Sequence, residues 1–218
     1  MATNLTEISR RVAPDVMGCP NVLVDEAVLR TLVKFCEETQ ILEKAFEHDV
    51  LATDVVAADN DSVSVNLATY LTDGRPILLT EFRIDGVAWD AQEIKLLNDQ
   101  DDLDEIAISG TKFFTWPDTT HIKFYGIEAE AQRFYIKQIF VPLDTATTVD
   151  DDIYYRYRDA IAAGARARLM FMPKKDWTDP VMATRYLADY NDGVAGAKIK
   201  QSHGMTRRSQ SVKSLRFF

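Results

Sequence analysis

Asp159-Ala-Ile-Ala-Ala-Gly-Ala-Arg-Ala-Arg-Leu-Met-Phe171, followed at once by Met172-Pro173, is the stretch on which the fold turns. Alanine has the highest helix propensity and proline cannot continue a helix, so the segment predicts a helix that stops near Phe171. Its small residues, Ala160, Ala163, Gly164, Ala165 and Ala167, leave room for another helix to approach closely. Ala163, Gly164 and Ala167 lie at i, i+1 and i+4, share one side, and form the expected helix-packing face in an assembly. Upstream, Asp150-Asp-Asp152 places three acids where the positive end of a helix dipole favours them, and Ile153, Tyr157, Ile161 and Leu169 follow at helical spacing. Downstream, Thr178 or Asp179 caps a further helix, with Pro180 at its first position and Met182, Tyr186, Tyr190 and Val194 continuing it towards Lys200.

The other end of the chain reads as helical too. Asn4 is a candidate N-cap for a helix over 5–12 that Pro14 ends, and after Pro14-Asp-Val-Met-Gly-Cys-Pro20 a second helix opens at Asn21, its candidate cap. Val24, Ala27, Val28, Leu32, Phe35 and Cys36 recur there at helical spacing, with Asp25, Glu26, Arg30, Lys34 and Glu37 on the opposite face. From Phe46 the period falls to two. Residues 50–57, 62–67, 77–84, 111–116, 121–125 and 133–141 are rich in β-branched and aromatic side chains and are separated by Asp-Asn, Asp-Gly and Pro-Asp turn signals. The strongest hairpin signal is Trp116-Pro-Asp-Thr-Thr120, residues 98–105 read as an exposed loop or helix start, and Gly74 is expected in a surface turn. The expected fold class is therefore α+β: a helical bundle from both chain ends, a β-rich sandwich- or barrel-like insertion, and an extended C-terminal arm, divided as 1–40, 41–149, 150–203 and 204–218.

Charge follows the same divisions. The formal net charge of the 218 residues is −9, yet from 193 to 218 there are six bases (Lys198, Lys200, Arg207, Arg208, Lys213, Arg216) and no acid, while 41–150 holds 8 bases against 21 acids. A segment charged opposite to its own domain is poised to bind something acidic: nucleic acid, a partner surface, or the acidic body of a neighbouring copy. Phe217 and Phe218 argue for a docked rather than a merely solvated tail, since aromatic side chains are frequent interface anchors. No apolar run approaches the roughly 20 residues needed to cross a bilayer, and the first residues lack a signal-peptide pattern, so no membrane partner and a cytoplasmic origin are expected. Cys19 and Cys36 make neither a disulfide framework nor a metal knuckle and read as reduced packing thiols.

Asp99, Asp101, Asp102, Asp104 and Glu105 invite a two-carboxylate glycosidase reading, but such a dense polar run is more often a solvated loop, and it lacks the central Gly and distal Glu of a calcium hand. His48, His121 and His203 are scattered, and there is no glycine-rich phosphate cradle or Gly-x-Ser-x-Gly elbow. No catalytic residue, metal or cofactor is expected, and the chain does not read as an enzyme.

Five stretches, in their order and spacing, resemble the head-to-tail connector (adaptor) proteins of tailed bacteriophages. They are Pro14-Asp-Val-Met-Gly-Cys-Pro20; Val24-Asp-Glu-Ala-Val-Leu-Arg30 running into Phe35-Cys-Glu-Glu-Thr-Gln40; Asp159-Ala-Ile-Ala-Ala-Gly-Ala-Arg-Ala-Arg-Leu169 with Met172-Pro173; Trp177-Thr-Asp-Pro180; and Tyr190-Asn-Asp-Gly-Val-Ala195. The likeness covers both helical ends, and the β middle matches in layout only. It implies a structural protein of the virion neck: a homo-oligomeric ring, dodecameric by that resemblance, that docks on the portal protein, extends the DNA channel and offers a surface to the next tail or neck component. Viral DNA would pass through without specific binding. The resemblance also implies a C-terminal arm reaching into the portal, which makes Arg207, Arg208, Lys213, Leu215, Arg216, Phe217 and Phe218 the candidate portal- or neighbour-binding residues. The competing readings are another virion part, such as a tail-completion or decoration protein, and a carbohydrate-binding module or glycosidase.

Overall fold

Residues 161–165 of the Ala-rich stretch are all buried, because their helix is packed on more than one side. The computed structural model describes residues 2–56, 62–71, 74–88, 92–93, 113–115, 120–128 and 130–203. The chain divides into two compact units, one joining Met1–Ile41 to Asp144–Phe218 and the other spanning Leu42–Leu143.

The first unit carries strand β1 (Ala2–Asn4), helices α1 (Thr6–Val12), α2 (Asn21–Thr39), α3 (Asp151–Met170) and α4 (Pro180–His203), and strand β10 (Thr148–Asp150). Local signals set the helix starts. Asn4 Oδ1 accepts from the Thr6 amide at 2.9 Å and Asp150 Oδ1 from the Asp152 amide at 2.8 Å. Asp179 Oδ1 accepts from the amides of Val181 at 3.1 Å and Met182 at 3.0 Å, with Pro180 as the first helical residue. Asn21 is not a cap; it is the first residue of α2, behind Pro20.

Helices α1, α2 and α4 all pack against α3. Phe35 of α2 tilts against Tyr157 of α3 at 5.1 Å and meets Tyr190 of α4 edge-on at 6.3 Å. At Gly164 a β-carbon would stand 2.6 Å from both Thr31 Cγ2 and Tyr190 Cδ2, and at Gly193 it would run into Ala160. The small residues of α3 thus accommodate α2 and α4 of the same chain.

The expected fold class needs correction. The helices are not a bundle from both ends; the chain is a mixed α+β fold, with three sheets among the described residues. The terminal segments themselves build one of these sheets, β1 pairing antiparallel with β10, and α1 has only 7 residues. Three-residue strands carry no readable alternation, and their stability comes from a partner more than a hundred residues away.

The second unit holds β2 (Glu43–Val50), β3 (Val63–Asn66), β4 (Gly74–Ile84), β5 (Val87–Ala88), β6 (Gln92–Glu93), β7 (Phe113–Thr115), β8 (His121–Tyr125) and β9 (Gln132–Pro142). They form two four-stranded sheets, β2-β9-β4-β5 and β3-β8-β7-β6, antiparallel except for the β6–β7 pair. One apolar cluster joins the sheets, with Phe82 of β4 stacked on Phe124 of β8 at 4.0 Å and Phe134 of β9 edge-on to both. The strand expected over 50–57 is displaced: β2 ends at Val50, and Ala52–Asp54 is a 3-10 turn. Gly74 is not in a surface turn either. It begins β4, buried, where a β-carbon would stand 2.8 Å from the Val141 carbonyl oxygen. Residues 98–105 and the Trp116–Thr119 corner lie outside the described residues, though β7 and β8 on either side of that corner pair antiparallel.

Two acids inside the first unit make its stability pH-dependent. Burial, and after it the charge of Glu37, push the Cys36 thiol from its ordinary 9.0 up to about 12. Burial followed by Glu38, whose carboxylate accepts the Tyr190 hydroxyl at 3.1 Å, raises Tyr190 as well. Both groups hold their protons more tightly folded than unfolded. The Cys36 contribution is therefore complete below 9.0 and is lost as pH climbs towards about 12, while that of Tyr190 begins to fall only above its own ordinary value of 10.0. Urea midpoints should be level up to pH 9.0 and fall above it, and Cys36 should resist alkylation while half-buried Cys19 reacts. A flat profile, or equal labelling of the two thiols, contradicts this.

Candidate assembly interfaces

The structure places Ala163, Gly164 and Ala167 in the interior of the first unit, on a face occupied by the chain's own helices. Arg207, Arg208, Lys213, Leu215, Arg216, Phe217 and Phe218 lie outside the described residues. Two other surfaces carry the features of an interface.

The first is one end of the helical unit. Thr31 and Phe35 of α2 meet Gly164 and Tyr157 of α3 in reverse order, and so do Tyr190 and Gly193 of α4 with Gly164 and Ala160. Both helices therefore run antiparallel to α3, which brings the starts of α2 and α4 to the end where α3 stops. Arg166 braces this end: its Nε lies 2.6 Å from Asp15 Oδ2, its Nη2 donates to the Arg11 carbonyl at 2.5 Å, and its guanidinium lies over the Tyr186 ring at 5.2 Å. The α3–α4 connection is tied internally. The Thr178 hydroxyl donates to the Met172 carbonyl at 2.5 Å and accepts from the Lys175 amide at 3.0 Å, and the Asp179 amide donates to the Met170 carbonyl at 3.1 Å.

Val181, Met17 and Val22, at 80%, 79% and 76% exposure, are the three most exposed large hydrophobic residues among those described, and all three lie at this end, with exposed Phe171 beside them. Such a concentration of solvated apolar surface is the usual mark of an interaction site. The exposed bases Arg168, Lys174, Lys175 and Arg185 surround it, none of them in an ion pair among the described residues. Of the nearby acids, Asp15 is held by Arg166 and Asp179 by the first turn of α4, leaving Asp25 and Asp176.

The second surface is a cleft of about 830 Å³ in the β unit, lined by Glu47, Asp49, Leu51, Asp85, Arg133 and their neighbours. Arg133 Nε lies 2.8 Å from Asp49 Oδ1 and its Nη1 3.5 Å from Glu47 Oε2, while Asp85 Oδ1 accepts the Arg133 amide at 2.8 Å. Those acids raise the guanidinium further above its usual range, the hydrogen bond that it donates to Asp49 first. A smaller hollow of about 310 Å³ adjoins it across the Asp85–Gly86 turn and adds Glu128, Glu130 and exposed Val87. Five carboxylates thus share the region with Arg83 and Arg133, and Arg83 is itself engaged by Glu81. The imbalance extends to the whole unit, which has 8 bases against 19 acids, whereas the other has 17 against 15.

Neither surface was read from the sequence. Lys174-Lys175 in a Pro-led turn and Val181 straight after a helix start were visible as residues, but only the packing reveals which apolar side chains are left outside. Among the described residues no group of three His, Cys, Asp or Glu side chains is placed to hold a metal, and His48 bonds the Tyr70 hydroxyl at 2.8 Å on the β unit. No described helix is long and apolar enough to cross a membrane. No family model matches this chain, and no curated protein matches it.

Proposed function

We propose that this chain is a ring-forming head-to-tail connector of a phage neck, docking on the portal, extending the DNA channel and giving the tail its attachment surface. The observation that carries the reading is the set of motif stretches 14–40 and 159–195, far apart in the chain yet gathered in one compact unit. The acidic β unit supports a passive role towards DNA, since a wall of that charge repels a phosphate backbone and lets it slide. On this reading the basic segment beyond residue 203 is the portal-docking arm, and the protein resides in the virion.

Removal of residues 211–218 is expected to abolish docking and leave the fold intact. The measurement is occupancy of portal-containing capsids by full-length and truncated protein, with circular dichroism as the control for folding. Wild-type occupancy by the truncated chain contradicts the reading.

A further inference from the structure

We propose that the basic, apolar end of the helical unit seats in the acidic cleft of the β unit of a second copy of this chain. The proposal rests on the connector reading only for the expectation that such contacts close into a ring; the contact itself is argued from the two surfaces.

Three complementarities support it. The first is charge: Arg168, Lys174, Lys175 and Arg185 on one side face Glu47, Asp49, Asp85, Glu128 and Glu130 on the other. The second is shape, since an internally braced turn over 171–179 is offered to a hollow of about 830 Å³. The third is apolar surface: Phe171 and Val181 meet Leu51 and Val87, which are 59% and 71% exposed on the cleft side.

Charge also fixes the kind of contact. Two basic ends repel, and so do two acidic clefts, which disfavours a self-complementary dimer. The remaining pairing, end to cleft, is heterologous, and a heterologous contact repeats from copy to copy and closes into a ring when the rotation allows. Duplex DNA is the competing ligand for four bases, but a phosphate backbone leaves the most exposed hydrophobic residues of the unit uncovered.

The test uses the full chain and two charge reversals, Lys174→Glu with Lys175→Glu, and Glu128→Lys with Glu130→Lys. All four side chains are exposed and bond no other described side chain, so both variants should fold. By sedimentation velocity and native mass, each reversal is expected to weaken self-association about tenfold or more, and a chain carrying both should recover most of it. Carbodiimide coupling of isotope-labelled with unlabelled copies should join Lys174 or Lys175 of one copy to Glu128 or Glu130 of another.

Wild-type protein that stays monomeric at ~100 µM overturns the proposal. So does unchanged association of either reversal, a combined variant no better than the single ones, or coupling confined to one copy. Loss of duplex-DNA binding by the lysine variant with association unchanged would assign the surface to nucleic acid instead. A ring indifferent to both reversals removes this contact and leaves the connector reading standing, whereas a protein that neither forms rings nor occupies portal-containing capsids removes that reading.

Discussion

Replacing Gly164 with leucine is expected to cost the helical unit about 3 kcal/mol or more, the upper end of the overpacking range. The β-carbon alone would stand 2.6 Å from Thr31 Cγ2 and 2.6 Å from Tyr190 Cδ2, so the new side chain is pressed from α2 and α4 at once. Neither neighbour yields easily. Thr31 donates its hydroxyl to the Ala27 carbonyl at 2.7 Å, and Tyr190 is held by Glu38 and by Phe35. The control is Gly196→Ala on the same helix as Tyr190: a β-carbon there meets nothing within 4 Å, so the loss of backbone freedom in the unfolded chain should stabilise by about 0.5–1 kcal/mol. Gly74→Ala is not a neutral control, because that glycine lies against Phe140 and the Val141 carbonyl. Urea unfolding of the two variants beside wild type decides the matter. Equal stability of Gly164→Leu and wild type would mean that the α2–α3–α4 contact is not tight at this point.

What the sequence made legible was what neighbouring residues decide among themselves. Asp179-Pro180 and Asp150 announce their helices because a cap is a contact over two or three residues, and β3, β8 and most of β9 show clean alternation because one face of each is buried. Where the deciding contact is distant, the reading failed. β2, Glu-Lys-Ala-Phe-Glu-His-Asp-Val, is an edge strand exposed along most of its length, and its pairing with β9 rather than an apolar face makes it a strand. β1 and β10 specify each other only once the chain has folded. The small residues of α3 were readable as a place for close packing. Nothing local could say that Thr31, Tyr190 and Gly193 of the same chain provide the matching surfaces. The candidate interfaces were illegible for the same reason: whether Val181 or Met17 is core or surface depends on the completed fold, not on its own side chain.

Phe124→Ala should be the most damaging single truncation in the β unit. The ring is fully buried, stacks on Phe82 at 4.0 Å, meets Phe134 edge-on at 5.6 Å and lies 6.1 Å from Phe114, so it contacts strands of both sheets. Truncating a buried phenylalanine costs about 3–5 kcal/mol, and the aromatic pairs add roughly 0.5–1.5 kcal/mol beyond the area lost. A unit of this size has about 5–15 kcal/mol in hand, so this one change removes a large share of it and should lower the melting temperature by on the order of 15 °C. Phe46→Ala provides the comparison: that ring stacks on Tyr70 at 4.1 Å but is only half-buried at the margin of the core, and its loss should cost less than half as much. The near-ultraviolet dichroism of both variants, followed through heating, reports on the aromatic cluster itself. If Phe124→Ala melts no earlier than Phe46→Ala, the two sheets are not held together through Phe82, Phe124 and Phe134, and the β unit must draw its stability from strand pairing within each sheet.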